Sequence, residues 1–198
     1  MSPGEYTAAR GRATTGELEF TRGARELRVR AERDPGRLFT ARFWGRQPAV
    51  SVTPATVTVR YSHSALHTLG EVALNPAVTW AIQVHGGAHD VDADLTEVPI
   101  ASLGISSGAS GVTLRLSEPN GWVPIRIGGG ASNVTILRPP HVGARLRVKR
   151  GAAHLAFDEQ RLGAIGGLIR FESSPDGTTT GYDIHVGSGA NRLTVATA

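Results

Sequence analysis

Apolar residues in this chain recur at every second position in short bursts, not at helical spacing. Val112, Leu114 and Leu116 alternate with Thr113 and Arg115; Val134 and Ile136 repeat the pattern, as do Leu155 and Phe157. A second set of bursts precedes these: Ile82 and Val84, Leu103 and Ile105, Val123 with Ile125 and Ile127, Leu146 and Val148, Ile184 and Val186. Period-two alternation sends one row of side chains to a core and the other to solvent, so each burst predicts a half-buried β-strand. The connecting segments Ser117–Gly121 and Arg138–Gly143 carry prolines, which fix φ and remove a donor. Each also has a glycine able to take positive φ. No segment has a convincing 3.6-residue period; at most Glu159–Leu162 would form one helical turn.

The bursts are tied together by a repeated phrase. A small residue, Gly-Ala and two polar residues precede the alternation in RGARELRVR, GGAHDVDADL, SGASGVTLRL, GGASNVTILR, RGAAHLAFDE and SGANRLTVA. The Gly-Ala pairs begin at Gly23, Gly87, Gly108, Gly130, Gly151 and Gly189, and the middle spacings are 21, 22 and 21 residues. The first interval, 64 residues, is close to three such periods, and the last, 38, carries an insertion. A sharp corner between two strands feeding one core would explain the pair, because a larger side chain would collide with the neighbouring coil. Units too small to bury their own apolar face must stack. The predicted fold is all-β: a single-stranded β-helix, or solenoid, of about 21 residues per rung. A β-sandwich, which also alternates between turns, is the alternative.

Residues 1–16 lack an apolar pattern and are expected to be a flexible lead, with one solenoid domain over residues 17–198. Leu38–Val59 is expected to hold earlier rungs, although the Gly-Ala phrase is not visible there. The Gly-, Ser- and Thr-rich stretch near residues 159–181 reads as an irregular insertion, and His63–Glu71 as a polar break.

Composition narrows the function. There are no cysteines, which removes disulfides, thiol nucleophiles and zinc–thiolate sites and suits a reducing compartment. No apolar run resembles a signal peptide or a membrane span, so a cytoplasmic protein without direct membrane insertion is expected, with peripheral membrane association through a partner left open. Net charge is +4, with Lys149 the single lysine among 21 basic residues. Arginines alternate with acids, as in Arg25, Glu26, Arg28, Arg30, Glu32, Arg33 and Asp34, and aromatics are only 6%. Nucleic-acid binding calls for a basic patch with interleaved aromatics, so no nucleic-acid partner is expected.

Candidate chemistry is sparse. Gly104-Ile105-Ser106-Ser107-Gly108 matches G-x-S-x-G, but a nucleophile elbow opens a helix and this glycine opens a strand. His85, His89, Asp90, Asp92 and Asp94 cluster, and Asp90, Asp92 and Asp94 would share one strand face. Three carboxylates can hold Ca²⁺. Alternatively, carboxylates about 7 Å apart on a strand suit inverting glycoside hydrolysis. A carboxylate row on a strand is more commonly a solvated face. His63 and His67 have i, i+4 spacing, which suits a metal only on a helix. Gly128–Gly130 lacks the Lys-Ser/Thr of a phosphate loop. Asn133-Val134-Thr135 is a glycosylation sequon, relevant only after secretion. Trp44, Trp80 and Trp122 are expected to cap the open core rather than bind a ligand.

The phrase GGASNVTILRPPHVGARLRVKRGAAHLAFD, with the later IGG and YDIHVGSGANRLTV, resembles the toast-rack type of β-helix. Such domains occur in the C-terminal part of LiaF-like cell-wall stress proteins and in the adhesin-like DUF4097 group, and many actinobacterial proteins carry one. The resemblance covers Trp80–Ala198 well and Leu18–Tyr61 moderately, and the transmembrane helices of LiaF-like proteins are not present here. It implies a right-handed solenoid with interaction or regulatory roles and no catalytic residues. Together these readings predict a non-enzymatic structural or protein-interaction module, which the resemblance would make an accessory to envelope-stress or signalling regulation. They predict no catalytic, cofactor or metal residues. A protein partner, or self-association through the terminal rungs, is expected. A carbohydrate- or Ca²⁺-binding face at Asp90–Asp94 is the alternative.

Overall fold

The computed structural model describes residues 3–61, 69–173 and 179–198. Seven rungs, each a pair of strands, stack into a β-solenoid. The pairs are β2 (Thr15–Phe20) with β3 (Ala24–Ala31), β6 (Thr56–Arg60) with β7 (Leu69–Leu74), β8 (Thr79–Val84) with β9 (Ala88–Leu95), and β10 (Ile100–Ile105) with β11 (Ala109–Leu116). They continue as β12 (Trp122–Ile127) with β13 (Ala131–Arg138), β14 (Gly143–Val148) with β15 (Ala152–Phe157), and β18 (Gly181–Val186) with β19 (Ala190–Thr197). The odd and even members build two separate, mostly parallel sheets. Parallel pairing of strands two apart in sequence is what a coil produces, and it distinguishes this fold from an antiparallel sandwich.

The rungs do not stack in chain order. Through the two sheets the order is β6/β7, β2/β3, β8/β9, β10/β11, β12/β13, β18/β19, β14/β15. The first rung of the sequence slots in one place from one end, and the last rung slots in one place from the other. This explains the long first and last intervals between Gly-Ala pairs. The ends are closed by antiparallel strands. β4 (Arg37–Trp44) pairs with β7, β1 (Gly4–Ala9) with β4, and β5 (Ala49–Thr53) with β6. At the other end β16 (Gln160–Ile165) pairs with β15 and β17 (Ile169–Ser173) with β14.

Several expectations are refined by this arrangement. Within Leu38–Val59 only β6 opens a rung; β4 and β5 are capping strands, which is why no Gly-Ala corner appears there. Residues 4–9, expected within a flexible lead, form β1, because the β4 edge offers Gly4–Ala9 a partner. The 159–181 stretch supplies β16 and β17, and Glu159–Leu162 enters a strand, not a helical turn.

The core lies between the sheets. Leu18, Phe20, Phe39, Phe43, Trp80, Leu95, Leu116, Ile125 and Tyr182 are fully buried in it. Trp80 belongs to the interior, its Nε1 donating to the Asn75 carbonyl at 3.1 Å.

The Gly-Ala corner repeats as a backbone ladder. Ala88 N donates to Gly108 O, Ala109 N to Gly130 O, Ala131 N to Gly189 O and Ala190 N to Gly151 O, at 2.9–3.1 Å. A Cβ on Gly108 or Gly130 would come within 3.1 Å of the next rung's glycine carbonyl. The corner is therefore glycine because a neighbouring rung passes over it, as the repeat predicts.

Candidate functional site

A second periodic feature lies two residues beyond each alanine of the corner. Glu26, Asp90, Gly111, Asn133, Arg192 and His154 occupy successive rungs, and their φ values all lie between 47 and 63°. The pairing registers skip them: Ser110 lies opposite His89, and Val112 opposite Val91. Each is an extra, bulged residue that both paired strands carry together, so the register across the rungs stays in step. With strict alternation, the residue three beyond the alanine would point outward; the extra residue returns it to the core, as Val91, Val112 and Val134 show. A left-handed backbone costs a non-glycine residue about 1–2 kcal/mol. Four of the six are neither glycine nor asparagine, and the core contact of the following valine or leucine must offset that strain.

The expected aspartate row sits in this frame. All three carboxylates are on the outer side of β9, but Asp90 occupies the bulge and its Oδ1 overhangs Gly111. Asp90 Oδ2 is 3.1 Å from His89 Nε2. Asp92 Oδ1 accepts from Arg115 Nη1. Asp94 accepts from the Thr96 hydroxyl at 2.7 Å and from the Thr96 amide at 3.3 Å. These bonds hold the Asp94 carboxyl below its ordinary range. Each aspartate thus has its own neighbour, and among the described residues no three His, Asp or Glu side chains converge as metal ligands would. His85 follows the end of β8 on the other sheet, 3.7 Å from Glu19. The nearest concavity, about 370 Å³, is lined by Glu26, Arg28, Asp90, Asp92, Thr113 and Arg115 among others.

Those residues belong to a larger pattern. Register places Glu5 opposite Arg42, Arg42 opposite Glu71, Glu71 opposite Arg28 and Arg28 opposite Asp92. The outer face therefore carries a column of alternating charge across five strands. Arg42 donates to Glu5 at 2.8 Å, and Glu71 lies 3.3 Å from Arg30 and 3.9 Å from Arg28. Beyond Asp92 the same column turns neutral, through Thr113, Thr135 and Thr194. Opposite charges directly across a sheet attract and like charges repel, so the column reinforces the register.

The other sheet differs. Arg126 lies opposite His185, His185 opposite Arg147 and Arg147 opposite Arg170. Partial burial, with Arg126 and Arg147 alongside, pushes the His185 pKa below its ordinary value. Arg126 is bound to Asp183 at 2.7 Å and Arg145 to Glu172 at 3.0 Å. The Arg145 guanidinium also lies 3.9 Å over the Trp122 ring, which in turn covers Gly143 and Gly181.

The remaining motifs resolve simply. Ser106 and Ser107 are corner residues whose amides bond to Val84 and Gly86 of the adjacent rung, and a strand follows, so the G-x-S-x-G match builds no elbow. Gly128–Gly130 is another corner. Trp44 is half-buried at the end of β4. His63 and His67 lie outside the described residues.

One buried ion pair had no signature in the sequence. Arg138 is 1% exposed. Its Nη1 and Nη2 donate to the two oxygens of Asp158 at 2.8 Å, its Nε donates to Val142 O at 2.8 Å, and Nη2 also reaches the Ser173 hydroxyl at 3.3 Å. The facing guanidinium holds the Asp158 carboxyl below its ordinary value against the opposing effect of burial. The pair fastens β13, the turn after β15 and the capping strand β17.

Comparison with known proteins agrees with this architecture. Residues 47–137 match the family described as the N-terminal domain of toast_rack, DUF2154. Over 99% of this chain and all of the other, the fold matches the crystal structure of a protein named "putative cell adhesion protein" from Clostridium sporogenes ATCC 15579, with a TM-score of 0.67 and 14% sequence identity. No curated protein matches in sequence. Residues 47–137 thus resemble the toast-rack family in sequence, and the whole chain shares the β-solenoid fold of that solved structure.

Proposed function

We propose that this domain is a non-enzymatic structural or protein-interaction module that engages partners, or further copies of itself, through its ends. One observation carries the reading. Among the described residues, the exposed large apolar side chains, Val52, Leu69, Ile165 and Leu168, all lie at the two ends of the stack, whereas the sheet faces between are polar. The same ends present the edge strands β1, β5, β16 and β17, whose free backbone groups are ready to pair. The likeness to a protein named for adhesion supports the same reading. The aspartates of β9 are each held by a local neighbour, which argues against a catalytic or Ca²⁺-binding role for them.

Light scattering on the purified protein, alongside capture of partners from native lysate, tests this. A discrete oligomer, or a stoichiometric partner lost when Val52→Lys and Ile165→Lys are introduced, is the expected outcome. A strict monomer without partners, or saturable turnover of a substrate abolished by Asp92→Asn, would overturn it.

A further inference from the structure

The end of the stack formed by β14, β15, β16 and β17 gathers cations around a protruding apolar segment. Residue 165 lies opposite Ala152 and residue 169 opposite Val148. The segment Ile165–Ile169 therefore runs alongside the corner that holds Lys149, Arg150 and Gly151. Ile165 and Leu168 project from it at 40% and 48% exposure, separated by Gly166 and Gly167, around which space is open. Arg147 and Arg170 sit side by side on the adjoining sheet face. Arg147, Lys149, Arg150 and Arg170 are all exposed, and none makes an ion pair or side-chain hydrogen bond among the described residues. Among the described residues, carboxylates on or next to the neighbouring strands are already engaged: Asp183 by Arg126, Glu172 by Arg145 and Asp158 by Arg138.

We infer that this end of the solenoid is a docking surface for an anionic lipid bilayer, with Ile165 and Leu168 entering the headgroup region and Arg147, Lys149, Arg150 and Arg170 facing the lipid charges. A protruding apolar pair bracketed by unpaired cations matches the layering of an anionic membrane surface, where negative headgroups overlie an apolar boundary. Nucleic acid fits less well. The nearby Trp122 ring is covered by Arg145, so no open aromatic face is offered to a base. An acidic protein would use the cations but gives no role to the paired apolar tip. The inference goes beyond the protein-interaction reading and is judged by a different readout.

The test is cosedimentation of the full chain with vesicles of pure phosphatidylcholine and of phosphatidylcholine with 30% phosphatidylglycerol, about a third anionic lipid being enough to give a negative surface. Binding to the mixed vesicles alone, weakened by salt, is expected. Each cation near such a surface adds roughly fivefold to partitioning, so Arg147→Ser, Lys149→Ser and Arg170→Ser combined should lower it by roughly 100-fold. Leu168→Ser should weaken binding without changing its salt dependence. Unchanged circular dichroism and melting would show that the variants fold. Absence of binding, equal binding to both vesicles, or binding indifferent to these substitutions would overturn the inference. So would a competing acidic peptide or RNA that binds the same residues while the vesicles do not. None of these results depends on whether the protein forms oligomers or captures a protein partner.

Discussion

Replacing Asp158 with asparagine would test how far the capping strands depend on the buried guanidinium of Arg138. Asp158 has φ of 50°, a conformation that asparagine tolerates, so the substitution removes the charge without adding backbone strain. Two bonds of 2.8 Å to a carboxylate would become at most one to an amide oxygen, while the amide nitrogen would face a second donor. Arg138 is 1% exposed, so water cannot replace the lost partner. Breaking a buried pair from one side costs about 3–5 kcal/mol, and the retained oxygen places Asp158→Asn near about 3. For a chain of this size about 3 kcal/mol corresponds to a Tm lowered by about 6–12 °C, readable by calorimetry. The pH dependence has a definite sign. A carboxyl held below its unfolded value of about 3.9 contributes stability above that value and loses it as pH falls through the folded value. The gap between the native protein and Asp158→Asn should therefore be constant near neutrality and narrow below about pH 4. A drop of under about 2 °C, or a gap that does not change with acid, would refute the reasoning.

Other consequences follow from the repeat. Gly128→Ala sets a methyl against the Ser106 carbonyl and should cost about 2 kcal/mol in chemical denaturation, whereas Gly163→Ala, in open space, should be neutral or slightly stabilising. His154→Gly relieves a left-handed backbone and should raise stability by about 1 kcal/mol, a Tm gain of about 2–4 °C. Arg28→Glu places three acids in adjacent strands and should cost about 1 kcal/mol at low ionic strength, partly recovered in high salt when melting is followed against salt concentration.

The strands and the corner were legible because both follow from local pattern. Alternation identifies the buried face of each strand, and the steric demand of a passing rung makes the corner Gly-Ala each time. The stacking order was not legible, since nothing local in Thr15–Ala31 says that β6/β7 will settle on one side of it and β8/β9 on the other. The bulge was hidden for a different reason: Glu26, Asp90, Gly111, Asn133, His154 and Arg192 share a backbone conformation but no side-chain chemistry. The candidate face was half legible. The three aspartates do lie on an exposed side of one strand, but the Arg115 that binds Asp92 and the Arg28 that lies opposite it come from other rungs. The unpaired cations looked dispersed because Arg147 and Arg170 meet only through an antiparallel cap.

The position of the last rung bears on how the chain is made. β18 and β19 occupy the gap between β12/β13 and β14/β15, and Ala198 N bonds to Arg138 O at 2.9 Å. During synthesis every other rung emerges before this one. Until β18 and β19 leave the ribosome, the two neighbouring rungs can meet only in a wrong register or stand apart with unpaired edges. The β18/β19 rung thus acts as a keystone. The arch is dimensioned early, but it locks only when this rung is driven in, and a chain truncated before β18 would retain a gap for which any free strand could compete.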